Sequence, residues 1–377
     1  MDNLSLHPFQ LERFFAKYEF KVRHLLSPSD CEALSLKELL AISNDSSRQL
    51  WEDLRLGYTE SAGHPLLREE ISKLYNQINP DHILVAAPEE AILLTIQAIL
   101  QPEDHVISIF PAYQSLYEIA RAKGCEVSYW HVRHSPKGWI LDLNELENLY
   151  QSNTRLLVVN FPHNPTGFLP SYEDFKAVIE FAQHHNLYLF CDEMYRLLEY
   201  SPNQTLSPAA DLYPKAISLS GLSKSFALPG LRIGWLATQA VEVLENCAIL
   251  KDYTTICSSA PSEILAIIAL QNRSAILQRN QQIILDNLHI AEHFFDQFFP
   301  ILEWIPPQAG SVALAYWRGK PNFSAVMERV LDEKGLMILP GSVFDIDDNT
   351  FRLGLGRKSF PLALEQLEDW LISQNIS

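Results

Sequence analysis

Helical periodicity is plainest at Pro65–Ile78. Leu67, Ile71, Leu74 and Ile78 recur there on one face, and Glu69 and Glu70 stand in the first turns. From there to about residue 251, short apolar runs alternate with amphipathic ones. The runs Val106–Phe110, Glu126–Trp130, Leu156–Asn160, Leu187–Cys191, Ala216–Leu219 and Leu231–Ala237 predict strands. Glu90–Leu100, Gln114–Lys123, Tyr172–His184 and Val241–Lys251 predict helices. Most of these strands are apolar at consecutive positions, as expected when helices cover both faces of a sheet. The alternation predicts an α/β fold with a largely parallel sheet.

Beyond about Gln281 the grammar changes. A long helix, Gln282–Phe298, is followed by a strand at Ser311–Tyr316 and a helix near Phe323–Glu333. Gly335–Leu339 and Thr350–Gly354 then read as strands, and Pro361–Ile372 as a terminal helix. This α+β pattern suits a smaller domain. The start of the chain has helical signals at Gln10–Tyr18 and Leu36–Ser43 but no core of its own, so it is expected to pack on the C-terminal part or on a partner subunit. The resulting division is a large domain at 47–281 and a smaller α+β domain built from both termini, 1–46 and 282–377.

Composition narrows the class. The 377 residues are 47% apolar and 20% charged, a globular balance with enough apolar content for a large core. No apolar run is long enough to span a bilayer. Met1–Ser5 lacks the basic start of a secretory signal, which leads to an expectation of a cytoplasmic protein. The net charge of -17 argues against a nucleic-acid partner. The five cysteines are scattered and form no C-x-x-C pair, and His184-His185 reads as a solvated helix end. Neither a disulfide framework nor a metal site is expected.

The chemistry concentrates where apolar strands end. Lys224 lies just beyond Ala216–Leu219, and Arg232 follows eight residues later. A partly desolvated lysine can form a Schiff base, and an arginine fork can hold a phosphate. Together they are what pyridoxal phosphate (PLP) requires; a solvated surface lysine is the plain alternative. Asp192 ends an apolar strand, where open α/β sheets bind ligands. It could pair with a pyridine nitrogen or cap the next element. Tyr113, in Phe110-Pro111-Ala112-Tyr113, could stack on a flat ring or belong to the core. Asn164-Pro165-Thr166-Gly167 follows the strand Leu156–Asn160 and reads by itself as a turn. Arg352, in a late apolar strand, suits bidentate binding of a carboxylate.

In order along the chain, Tyr58 with Gly63 and Leu67-Arg68, then Pro111-Ala112-Tyr113, Asn164-Pro165-Thr166-Gly167, Asp192-Glu193-Met194-Tyr195, Ser223-Lys224 with Arg232, and Phe351-Arg352 resemble class I/II aminotransferases of the aspartate-aminotransferase fold. These are the fold-type I PLP enzymes. The resemblance implies PLP as cofactor, carried as an aldimine on Lys224, which then acts as the general base. It implies Asp192 at the pyridine nitrogen, Asn164 and Tyr195 at the phenolic oxygen, Tyr113 against the ring and Arg232 at the phosphate. Tyr58 would reach the phosphate of a neighbouring subunit, making the active unit a homodimer, and Arg352 would hold the substrate α-carboxylate.

Three departures from the family pattern stand out. Ala87-Pro88-Glu89 replaces the usual Gly-Ala-Thr/Ser at a helix start that cradles phosphate. Pro88 has no N–H to give, and a Glu89 carboxylate turned inward would repel the anion. Gly221 stands where a serine is usual, leaving Ser223 as the candidate hydroxyl. Ser29-Asp30-Cys31 occupies the place of a glycine-containing substrate loop, with Ser29 and Asn164 as further substrate-side candidates. Lys251–Thr255 is a second unusual run, assigned either to ordinary surface or to a subunit interface. The expectation is an aminotransferase acting on an α-amino acid and a 2-oxo acid by a ping-pong mechanism. The alternative is a PLP-dependent lyase or a cyclase resembling capreomycidine synthase.

Overall fold

A computed structural model describes residues 6–135 and 138–376; Met1–Ser5, on which the reading of a signal-free start rests, lie outside them. The first strand, β1 (His24–Leu25), stands apart from the central sheet. That sheet is built from β2 (Ile83–Ala86), β3 (His105–Phe110), β4 (Glu126–Ser135), β5 (Gly138–Leu141), β6 (Thr154–Asn160), β7 (Tyr188–Asp192), β8 (Ala216–Gly221) and β9 (Gly234–Thr238). Its order is β2-β9-β8-β7-β6-β3-β4-β5. Strands β4, β3, β6, β7 and β8 run parallel, while β9 is antiparallel to β8 and to β2. Leu156, Leu157, Val158 and Val159 of β6 are fully buried, which accounts for the unbroken apolar run. Each such side chain contributes roughly 1.5–3 kcal/mol on burial.

Local chemistry sets the helix ends. The Ser171 hydroxyl accepts from the Asp174 amide at 3.0 Å and opens Tyr172–His184. Pro88 begins Pro88–Ile99, a position where a missing N–H costs little. The helix expected over Pro65–Ile78 stops at Ser72, and Tyr75 then turns inward to accept the Trp235 indole N–H at 2.9 Å. The strand expected from Leu231 begins only at Gly234. Pro229–Leu231 form a tight turn, and Arg232 adopts a left-handed backbone with φ 54°.

The C-terminal half starts with a helix over Arg273–Gln297, which begins earlier than its amphipathic pattern suggested. A second sheet then forms from β10 (Leu302–Trp304), β11 (Val312–Trp317), β13 (Leu339–Pro340) and β14 (Thr350–Gly354) in the order β10-β11-β14-β13. The run Gly335–Leu339 is split: β12 (Leu336–Met337) pairs with β1, and β13 pairs with β14. The amino-terminal segment is thereby tied to the C-terminal part. Helix Gln10–Tyr18 buries Leu11 against Leu339 and Phe344.

At Gly221 and Gly234 the strands β8 and β9 come unusually close. A Cβ on Gly221 would lie 3.0 Å from Gly234 Cα and 3.1 Å from Ile233 O, and one on Gly234 would lie 2.9 Å from Pro88 Cγ. Gly221→Ser, which would restore the hydroxyl common in the family, is therefore predicted to cost about 1–3 kcal/mol through overpacking. The urea unfolding midpoint of the PLP-free protein measures this. An unchanged midpoint would show that the two strands part freely.

Candidate active site

A cavity of about 490 Å³ lies at the carboxyl ends of the parallel strands, within the usual size range for small-molecule sites. The strand ends and the turns after them deliver its polar groups. Asp192 closes β7, Asn164 lies four residues beyond β6, and Ser223 and Lys224 follow β8 directly. Arg232 enters from its left-handed turn before β9, and Arg352 from the middle of β14.

Asn160, the last residue of β6, organises two of these groups. It is fully buried; its Nδ2 donates to Asp192 O at 2.9 Å and its Oδ1 accepts from the Asn164 amide at 2.8 Å. Among the described residues the Asp192 carboxylate accepts only from the Met194 amide, at 3.1 Å. Burial pushes its pKa up to about 7, opposed by the nearby Lys224 charge. Asn164 Oδ1 accepts from the Arg352 guanidinium at 3.1 Å, and a second Arg352 nitrogen donates to Ser27 O at 2.9 Å. Arg352 is 1% exposed, yet its Nε has no partner among the described residues.

Lys224 Nζ donates to Ser29 Oγ at 2.7 Å. The Ser29 loop is held from both sides. Ser311 Oγ donates to Ser29 O at 2.7 Å, and Arg357 forms a bidentate pair with Asp30 at 3.1 and 2.9 Å. Behind the loop, a Cβ on Gly354 or Gly356 would collide with the backbone of Pro28 or Asp30. Glycine at both positions lets the loop lie flat on the end of β14.

The phosphate end differs from the family pattern. Pro88 and Glu89 line the cavity, whereas Ala87 caps the helix outside the lining. Glu89 accepts from Ser115 Oγ at 3.2 Å, and burial raises its pKa to about 7, so its repulsion of an anion is blunted near neutral pH. Ser223 is buried, its Oγ has no partner among the described residues, and it lines the cavity together with Arg232. Tyr195 is buried in the wall, with Gly310 packed against its ring. Tyr113 donates to Glu12 at 2.7 Å, and burial holds its hydroxyl well above the usual tyrosine range.

Of the residues expected from sequence, this single cavity gathers all but Ala87 and Tyr58. Tyr58 is 91% exposed on the loop before His64. That loop is anchored by buried Glu263, which accepts from Thr59 Oγ1 at 2.8 Å and from the His64 amide at 3.0 Å. Lys251, in the run read as surface or interface, is instead fully buried and donates to Ser61 O at 2.5 Å, while Tyr253 beside it is exposed. Sequence reasoning missed Asn160, Glu12, Phe15 and Glu19. The polar Asn160 at the end of an apolar strand was a usable signal; Glu12 and Glu19 look like ordinary solvated helix positions.

These residues fit PLP. A buried carboxylate near the cavity floor suits a protonated ring nitrogen. The Ser223 hydroxyl, unpartnered among the described residues, and the Arg232 fork suit a phosphate, and the Arg352 guanidinium in the lining suits a carboxylate.

Comparison with known proteins agrees. The sequence model of aminotransferase class I and II matches residues 34–359. The chain is 28% identical to capreomycidine synthase of Streptomyces vinaceus over 358 residues, covering 91% of this chain and 88% of that protein. It is 26% identical to an aspartate aminotransferase of Thermotoga maritima over 329 residues, 83% of this chain and 81% of that protein. A PLP-dependent aminotransferase from Streptococcus suis superposes with a TM-score of 0.91 at 29% identity, over 99% of both chains. The PLP-dependent cyclase OrfR superposes with a TM-score of 0.89 at 26% identity, over 98% of both. By sequence, fold and cavity, the chain belongs to the class I and II aminotransferase family, whose cofactor is pyridoxal phosphate.

Proposed function

We propose that this protein moves an amino group between an α-amino acid and a 2-oxo acid by a ping-pong mechanism. The observation that carries the reading is the meeting of Lys224, Asp192, Asn164, Tyr195, Ser223 and Arg352 in one cavity. Bound PLP supplies an electron sink for the electrons released at the substrate Cα. Lys224 Nζ holds the cofactor and is the base that takes the Cα proton. Asp192 keeps the ring nitrogen protonated, Asn164 and Tyr195 donate to the phenolic oxygen, and Tyr113 covers a ring face. Arg232 and Ser223, with the amides that open helix Pro88–Ile99, bind the phosphate. Arg352 grips the α-carboxylate and so fixes which Cα bond faces Lys224. Exposed Tyr58 serves a second copy of the chain in a homodimer. No helix among the described residues is long and apolar enough to cross a membrane, and we place the protein in the cytoplasm.

A second reading has its own support. The likeness to capreomycidine synthase and to OrfR favours a lyase or cyclase that uses the same Lys224 and the same Cα deprotonation. Mixing the PLP-loaded protein with single amino acids, without an oxo acid, separates the two. Transamination converts the cofactor to pyridoxamine phosphate with one equivalent of oxo acid. Continued release of ammonia with the cofactor regenerated would replace that reading with the lyase.

Lys224→Ala is expected to abolish turnover while PLP still binds without a covalent link; undiminished turnover would remove the central assignment. Arg352→Ala is expected to raise the substrate KM roughly 30-fold or more, the usual scale for losing a buried charge partner, with little change in PLP affinity. Equal losses in both would undo its assignment to the substrate.

Asp192 makes a pH-dependent contribution in the PLP-free protein. Its folded-state pKa, about 7, lies above the ordinary carboxyl value. Between the two values the folded protein holds a proton that the unfolded chain has released. Folding is therefore favoured at the acid end, and stability is lost as pH rises through that window. Glu89 acts in the same sense. PLP-free Asp192→Asn is expected to lose less stability than wild type between about pH 5 and pH 7. Parallel stability profiles would show that Asp192 is not desolvated.

A further inference from the structure

The long helix Arg273–Gln297 carries a side-chain cluster that the chemistry of the cavity does not use, and no residue of that helix lines the cavity. In the run His289-Ile290-Ala291-Glu292-His293 the two histidines stand four residues apart, and so on one face. Both are exposed, while Ala291, Phe294 and Phe295 are buried on the other side of the helix. Asn287 fixes the same helix further by donating to Leu355 O and Arg357 O, at 2.8 Å each. The backbone that carries the two imidazoles is thus held in place before any ligand arrives.

The two rings converge through their nitrogens. His289 Nε2 and His293 Nε2 are 3.2 Å apart, whereas the ring centroids are 4.5 Å apart with the planes at 74°. The nitrogens are therefore turned toward one another. A divalent transition metal holds imidazole nitrogens at about 2.0–2.1 Å. Two such bonds to nitrogens 3.2 Å apart enclose an angle of roughly 100°. That angle lies between the roughly 90° of a square-planar site and the roughly 109° of a tetrahedral one.

A second observation concerns the far side of one ring. The Glu292 carboxylate lies 3.7 Å from His289 Nδ1. Metal-bound imidazoles commonly offer their other ring nitrogen to a carboxylate, which leaves the Nε2 lone pair for the ion. No group of three His, Cys, Asp or Glu that could hold a metal occurs among the described residues, so the remaining coordination positions fall to water.

We propose that His289 and His293 form a two-nitrogen surface site for a divalent transition-metal ion such as Zn2+, Cu2+ or Ni2+, against the expectation from sequence that the chain has no metal site. Imidazole nitrogen selects these ions over Mg2+ and Ca2+, which prefer oxygen. The net charge of -17 favours cations near the surface. In the absence of the ion the two rings can share one N–H···N bond. The site is independent of the reaction in the cavity.

Tag-free, PLP-loaded protein freed of excess PLP tests this by equilibrium dialysis against Zn2+ and by electron paramagnetic resonance with Cu2+. We expect one Zn2+ bound per chain, no uptake of Mg2+ at the same concentration, and a Cu2+ spectrum split by two nitrogens. His289→Gln and His293→Gln are each expected to weaken Zn2+ binding about ten-fold or more, the usual scale of losing one arm of a chelate, and to leave one nitrogen in the Cu2+ spectrum. Glu292→Gln is expected to weaken binding by up to about ten-fold with both nitrogens kept. Absence of Zn2+ uptake, undiminished Zn2+ affinity in the His289→Gln, His293→Gln double variant, or a Cu2+ spectrum without two nitrogens would overturn the proposal.

Discussion

The buried guanidinium of Arg352 is the interaction on which the site depends. Removing a cation from water is costly unless its donors are satisfied. Here the donors reach two separate parts of the chain: Ser27 from the amino-terminal segment and Asn164 from the turn after β6. The backbone agrees with the side chain. Ser27 Oγ donates to Arg352 O at 2.5 Å and accepts from the Leu339 amide at 2.9 Å, so one serine joins β13, β14 and the loop at residues 27–31. The Nε is buried and has no partner among the described residues.

The same arrangement carries order outward to Lys224. Once Ser27 is fixed, Pro28 lies against Gly354, Asp30 meets Arg357, and Ser29 is left facing the lysine. On the opposite wall Asn160 ties Asp192 to Asn164 through two buried bonds. Asn164 therefore belongs to both sets, bonded to Asn160 through its backbone and to Arg352 through its side chain. The cavity is shaped by short links between strand ends, so its polar groups need little reorganisation to bind a ligand.

Much of this is legible in the sequence because parallel strands buried on both faces leave a strong apolar trace, and a polar residue at the end of such a run stands out. Asp192 and Lys224 stand out that way, whereas Asn164 reads as part of a turn and gains its role only from the family resemblance. Arg232 was assigned the right neighbourhood but the wrong backbone. The apolar run Leu231–Ala237 hides a left-handed residue whose conformation is imposed by the Pro229 turn and the packing of Gly234. Glu12 and Glu19 were not legible at all. A short amphipathic helix with acids on it has the same pattern whether those acids face water or a cavity, and only the burial of Leu11 against Leu339 and Phe344 decides which face turns in. The split of Gly335–Leu339 between two sheets was hidden for a similar reason, since every residue of that run after the glycine is apolar and buried in either arrangement.

The departures at the phosphate end form one coupled change. The Pro88 ring sits where a side chain on Gly234 would fall, and one on Gly221 would lie only 3.0 Å from Gly234 Cα. A proline at the helix start, a glycine in β9 and a glycine at the end of β8 thus pack in one tight contact. A serine at position 221 alone would intrude on that contact. The hydroxyl is found instead at Ser223, two residues along the turn, buried and free of other partners. The proline also removes one amide from the helix start, and Glu89 beside it is held toward its neutral form by burial. With fewer backbone donors there, more of the anion's stabilisation falls to the Arg232 fork and the Ser223 hydroxyl. Packing between three residues with no polar side chain to offer the ligand thereby decides which polar groups face it.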